Sequence, residues 1–231
     1  YHMKNIIYFI VVSFLNYSCI SIQRTEMQPI SSTYDNGAVV TAHPLASKVG
    51  VDILKKGGNA VDAAIAVKFA LAVVYPNAGN LGGGGFMVYR SKTGEVASLD
   101  FREKAPAAAF KDMYLDKDGN PITDLSLYGQ LAAGVPGAVA GMDEAFKKYA
   151  SLPWKDLVAP AIALAEKGFP ITKQQAGEFN NYKARFIQHN PNGAAIIKTE
   201  DWKEGDNFVQ LELAETLKRI ASEGRDGFYR G

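Results

Sequence analysis

Cysteine is almost absent. The chain of 231 residues has one, Cys19, which rules out an intrachain disulfide. Histidine is nearly as scarce, with only His2, His43 and His189, and no two share one element at ligand spacing. There is no HExxH, no paired-carboxylate cluster, no serine elbow and no reactive-cysteine motif, so metal-centred and triad chemistry are set aside. Net charge is lacking too: 25 basic residues against 24 acidic ones leave +1, which gives no electrostatic footprint for nucleic acid or an anionic membrane. A small neutral or zwitterionic substrate fits such a surface better. Long apolar runs are missing, since the stretch 6–15 is too short to cross a bilayer as a helix.

That stretch follows Met3-Lys4 and has the basic start and short apolar core of a secretory signal peptide. Tyr1-His2 ahead of it read as a cloning remnant or a mis-set start. Cys19, preceded by Ser18 and followed by Ile20-Ser21, resembles a bacterial lipoprotein cleavage site, although Asn16 stands where such sites prefer leucine. The alternative is an ordinary cleavable signal with an incidental cysteine, and both stay open. The division expected is a leader over 1–22, a polar tether over 23–36 with Pro29 in it, and a folded domain over 37–231. The expected location is outside the cytoplasm, periplasmic or lipid-anchored at the cell envelope, with membrane contact only through Cys19.

What is present is a chain with 47% hydrophobic residues, enough for a sizeable core, and a mixed pattern of helices and strands. Residues 38–41 are β-prone. Pro44 opens a helix with Val49, Ile53 and Leu54 on one face, and Gly57-Gly58 stop it. Asn59 caps a second, alanine-rich helix with Asp62 in its first turn, and Pro76 ends it. Residues 86–90 and 95–101 pair as a β-hairpin through a turn at 91–94. A turn follows at 116–121, then helices over 136–149, 153–167, 172 to about 181, and 211–222.

The chemistry concentrates in two segments, Asn80-Leu81-Gly82-Gly83-Gly84-Gly85-Phe86 and Asp100-Phe101-Arg102-Glu103-Lys104-Ala105-Pro106. A dinucleotide fingerprint or P-loop needs strand, glycine loop, then helix; here the glycines lead into a strand, and no Gly-Lys-Ser/Thr follows. Because the glycines enter the first hairpin strand and Arg102 leaves the second, antiparallel pairing brings them together. The glycines serve either a tight backbone crossing or direct contact with substrate. Arg102 is either a solvated or ion-paired charge, with Glu103 or Asp100 as partner, or a fixed cation for a small anion.

From about Gly37 to about Phe186 the chain resembles the large-subunit half of the gamma-glutamyltransferase (glutathione hydrolase) family. The resemblance is carried by those two segments together with Ala42-His43-Pro44-Leu45-Ala46-Ser47, Gly57-Gly58-Asn59-Ala60-Val61-Asp62-Ala63-Ala64 and Gly134-Val135-Pro136-Gly137, in this order. It implies an α/β fold, the αββα sandwich of N-terminal-nucleophile hydrolases, with only the large-subunit portion present. It implies that Arg102 binds the α-carboxylate of a γ-glutamyl group such as that of glutathione. The family's nucleophile is a threonine that becomes the N-terminus of a second subunit when the precursor cleaves itself. No threonine here sits in a comparable motif, so the expectation is no catalytic residue in this chain, no cofactor or metal, a missing small subunit as partner, and an inactive fragment on its own. Two rivals remain. One is an acylase or poly-γ-glutamate-processing homologue, and the other a lipid-tethered binding module without catalysis.

Overall fold

The computed structural model describes Tyr34 and residues 36–230; the leader, Cys19 and most of the tether lie outside them. Their centre is a helix, α2 (Ala60–Val74), packed against α1 (Pro44–Lys55), α4 (Ala138–Tyr149) and α5 (Trp154–Lys167), with α7 (Leu211–Glu223) against α5. Alanine and valine dominate α2, so it can be approached closely from several directions. Ala66, Phe69, Ala70, Val73 and Val74 are all buried.

Both ends of α2 are closed by side chains. At its start Asn59 Oδ1 accepts from the Val61 and Asp62 N–H groups, and Asp62 Oδ2 accepts from the Asn59 N–H in a reciprocal capping box. Asp62 also reaches the connection between α4 and α5, accepting from the Ser151 N–H at 3.0 Å, the Leu152 N–H at 3.1 Å and the Ser151 hydroxyl at 2.5 Å. Burial pushes this carboxyl up, but the hydrogen bonds from Ser151, Asn59 and Leu152 outweigh it and hold the group below its ordinary range. At the other end two terminal carbonyls that the helix cannot satisfy are met by buried amides. Gln210 donates to Val73 O at 2.9 Å and Gln175 to Val74 O at 2.8 Å. Trp154 closes the arrangement, edge-on to Phe69 with its indole N–H on Ile220 O at 2.8 Å.

His43 occupies the cap position of α1, where its Nδ1 accepts from the Leu45 N–H at 3.2 Å. Its Nε2 is buried with no partner among the described residues, and burial lowers the imidazole below its ordinary value. The β-prone stretch 38–41 forms no strand; Val40 is 94% exposed and no strand runs beside it among the described residues.

The hairpin is formed by β1 (Phe86–Arg90) and β2 (Val96–Asp100), paired antiparallel with Phe86 opposite Asp100 and Arg90 opposite Val96. Met87, Tyr89 and Leu99 turn towards the core, and Tyr89 meets Tyr149 of α4 with ring centroids 4.5 Å apart. Between the hairpin and α4 the chain makes a long excursion containing α3 (Thr123–Leu127) and a 3-10 turn over Gln130–Ala132. Its base is closed by paired hydrogen bonds between Lys104 and Val135. A second two-stranded ladder, β3 (Phe169–Pro170) with β4 (Asn207–Phe208), flanks α6 (Lys173–His189), and α8 (Asp226–Tyr229) ends the described chain. Helix α6 runs on past the expected end near 181 to His189. All these elements belong to one compact unit beginning at Gly37, and no helix among the described residues is long and apolar enough to cross a membrane.

Candidate functional site

The hairpin ladder continues one step beyond its strands. Gly85 and Phe101 exchange both backbone hydrogen bonds, at 3.0 and 3.3 Å, so the glycine run and the Phe101-Arg102 segment lie side by side. On the far side of that segment stands the first turn of α4. The Gly83 carbonyl accepts from both the Gly137 and Ala138 N–H groups, at 2.8 and 2.9 Å, which ties the glycine run to the start of that helix. Phe101-Arg102 is thus threaded between Gly84 and Gly85 on one side and Gly137 and Gly141 on the other.

A Cβ on Gly84 would come within 2.8 Å of Arg102 Cα, and one on Gly141 within 2.6 Å of Phe101 Cβ. Real Cβ atoms do not approach so closely, so at these positions the glycines serve the tight crossing. Gly82 differs, because a Cβ there would meet nothing within 4 Å. Of the four, it alone faces open space.

The crossing and Asp100 hold the backbone of Arg102, and Glu103 meets its side chain. The Arg102 N–H donates to Asp100 Oδ1 at 2.9 Å, and its Nε donates to Glu103 Oε2 at 3.2 Å. The guanidinium carbon lies 5.8 Å from the centre of the Phe86 ring. Neither Nη has a hydrogen-bond partner among the described residues, and the side chain is 63% exposed. The arrangement leaves the flat outer edge of the guanidinium free to donate two parallel hydrogen bonds to one carboxylate. Glu103 is held below the usual carboxylate range, first by its own N–H and also by the Arg102 side chain, so it stays charged beside Arg102.

Sequence reasoning placed Arg102 and Glu103 together and brought the glycines beside them. It missed Tyr229, whose hydroxyl donates to Pro136 O at 2.8 Å and accepts from the Ala140 N–H at 3.2 Å, bracing the turn on which the crossing rests. It also missed Lys68 of α2, whose ammonium burial pulls below its usual range against the opposing charge of Glu103. No local pattern marks either residue. Among the described residues no histidine, cysteine or threonine lines the space beside Arg102, and no three His, Cys, Asp or Glu side chains are grouped to hold a metal ion. A larger groove of about 590 Å3 near Pro76, Tyr182 and Phe186 is mainly apolar and does not include Arg102. The chemistry on hand at Arg102 is anion binding.

The family profile described as gamma-glutamyltranspeptidase matches residues 46–231. The chain belongs to that family. A glutathione hydrolase proenzyme from Pseudomonas sp. (strain A14) is 47% identical over 219 residues, covering 94% of this chain and 38% of that protein. Another from Escherichia coli (strain K12) is 49% identical over 197 residues, covering 84% of this chain and 34% of that protein. Among solved structures, the gamma-glutamyltranspeptidase of Helicobacter pylori superposes with a TM-score of 0.84 at 48% identity, over 87% of this chain and 58% of that one. The fold is therefore the α/β fold of the gamma-glutamyltranspeptidases, which are N-terminal-nucleophile hydrolases. The chain spans little more than a third of the length of the two proenzymes.

Proposed function

We propose that this chain is the substrate-anchoring part of an enzyme that moves the γ-glutamyl group of glutathione, or of a related γ-glutamyl amide, to water or to an amino acid or peptide acceptor. One observation carries the reading: Arg102 is fixed by the glycine crossing and by Glu103, with both Nη groups free among the described residues. A guanidinium held in this way suits the α-carboxylate of the γ-glutamyl group, because it donates in a plane and keeps its charge at any working pH. The carbonyl that reacts lies at the other end of that group, so the anchor positions it without taking part in bond making.

The nucleophile is a threonine leading a second subunit outside this chain. Its Oγ gives up its proton and bonds to the γ-carbonyl carbon, the C–N bond to the leaving amine breaks and that amine takes up a proton, and water or an acceptor amine then attacks the ester, breaking the bond to Oγ and returning its proton. The outer face of the hairpin offers a place for that subunit: Phe86, Val88 and Val96 are 64%, 80% and 70% exposed there, and β1 and β2 form a sheet of two with both outer edges open. Export, and a lipid anchor at Cys19, belong to the same proposal, and Cys19→Ser releasing a membrane-bound protein into the soluble fraction checks the anchor.

The test is a steady-state comparison in the full-length, processed enzyme. Arg102→Ala lowers kcat/KM on a γ-glutamyl donor by about two to four powers of ten, since charge-assisted hydrogen bonds contribute about 1.5–3 kcal/mol each. Self-cleavage is largely spared, because it involves no free α-carboxylate. Arg102→Lys recovers part of the loss. If Arg102→Ala loses as much on the α-amidated donor as on the free acid, Arg102 does not read the carboxylate.

A further inference from the structure

Residues 105–134, the excursion between the hairpin and α4, have a defined fold without a core. None of them is buried. The turns are nevertheless tied to one another: Leu115 bridges Pro121, the Ile122 N–H donates to Tyr114 O at 2.7 Å, and the Tyr114 hydroxyl donates to Leu131 O at 2.8 Å. These bonds gather Leu115, Ile122 and Leu131 around Tyr114, and all three side chains are exposed, as are those of Phe110 and Leu127. A segment of this length cannot repay the entropy of a fixed backbone with hydrogen bonds alone, so apolar side chains gathered at its surface mark a face that another part of the protein covers.

The excursion is held at two places. At its base Lys104 and Val135 exchange backbone hydrogen bonds at 3.1 and 2.8 Å, and a Cβ on Gly134 would come within 3.0 Å of Glu103 Cβ. Further out, the Tyr128 ring is clamped on α6, stacked on His189 with centroids 5.1 Å apart and with the Arg185 guanidinium carbon 4.9 Å from its centre. The result is a fixed surface whose base adjoins Glu103 and Arg102.

Charge, length and chemistry say what covers it. Lys111 and Lys117 stand against Asp112, Asp116, Asp118 and Asp124, an acidic balance that repels both an anionic lipid surface and a second copy of the same face. The two proenzyme relatives extend well beyond this chain, whose match covers 38% and 34% of them. The carbonyl that reacts lies a few bonds from the carboxylate held at Arg102, so a nucleophile brought by another subunit arrives beside the base of the excursion. Resting on that two-subunit γ-glutamyl reading, we propose that the excursion is a clasp for the nucleophile-bearing subunit. Leu115, Ile122, Leu127 and Leu131 pack on that subunit, and the base carries the docking to Glu103 and Arg102.

The experiment uses the full-length, processed enzyme with the photo-cross-linker p-benzoylphenylalanine in place of Leu127 or Leu131, and the joined peptides are mapped by mass spectrometry. Irradiation links the excursion to the threonine-led subunit, so that the two subunits run as one band on a denaturing gel. In parallel, Leu127→Asp combined with Leu131→Asp weakens association of the subunits by at least about a hundredfold, because two apolar side chains lose their burial. Cross-links that join two copies of the excursion, cross-links that stay within its own subunit, or none at either position overturn the proposal. Unchanged association in the double variant overturns it as well. A full-length protein that is never cleaved overturns the two-subunit reading instead; there, peptides mapping to the threonine-led segment keep the docking, and peptides mapping elsewhere overturn it too.

Discussion

Helix α2 is finished on every side, whereas the β1–β2 hairpin that follows it is finished on one. The helix is capped at its start by its own Asn59–Asp62 box, closed at its end by Gln175 and Gln210 from distant parts of the chain, and surrounded by α1, α4 and α5. The hairpin packs Met87, Tyr89 and Leu99 inward and leaves Phe86, Val88 and Val96 uncovered on the other face. Stability and recognition are thereby separated. Residues that hold the fold together saturate their hydrogen bonds within the chain, and the residue proposed to read substrate keeps two donor groups unspent. The glycine crossing connects the two regions, because it is anchored on α4 and presents Arg102 at the hairpin's open end.

The comparison breaks most visibly at Asp62. Asp62→Ala leaves three backbone N–H groups and a hydroxyl without their acceptor in a buried place, which costs about 3–5 kcal/mol of stability. Chemical denaturation of the full-length protein measures it. Arg102→Ala, by contrast, leaves the unfolding midpoint unchanged, as befits a side chain that is 63% exposed. A large loss of stability in Arg102→Ala, or none in Asp62→Ala, removes the distinction between the regions.

A smaller effect sharpens the role of the glycines. Gly84→Ala forces a Cβ against the backbone of Phe101-Arg102 and costs about 1–3 kcal/mol as overpacking, with loss of activity because Arg102 is displaced. Gly82→Ala meets open space and leaves stability within about 0.5 kcal/mol. Paired melting and kinetic measurements on the two variants separate crossing from contact. If Gly82→Ala alone abolishes activity at full stability, that glycine touches substrate and its run has both roles.

The smallest effect is a pH dependence at His43. Burial lowers its folded pKa, so the unfolded chain binds the proton more readily. The contribution to stability is complete above the unfolded value of about 6.5 and is lost as pH falls below it, by up to about 1.4 kcal/mol per pH unit. His43→Asn keeps an acceptor at the cap of α1 and removes this slope. An unchanged slope between pH 7 and 5 in that variant means that another group titrates.

Much of this architecture was legible before folding. Asn59 and Asp62 predict their own helix start because a capping box is local, and the turn at 91–94 predicts the hairpin because strand pairing across a short turn fixes its register. The neighbourhood of the glycines and Arg102 follows from that register. Residues 38–41 misled, since β-propensity describes a fit to neighbouring strands and none is beside them among the described residues.

The sequence by itself determined the order of the longer helices, the hairpin and the place of Arg102 beside the glycines, because caps, turns and apolar spacing act over a few residues. Only the tertiary structure decided that Gln175 and Gln210 close the end of α2, that Gly137 and Gly141 complete the crossing begun by Gly84, and that Tyr229 and Arg225 stand beside Arg102. Those partners lie far apart along the chain. No local preference selects such pairings; they exist because buried carbonyls and a close backbone approach must be satisfied by whatever the packed core brings to them.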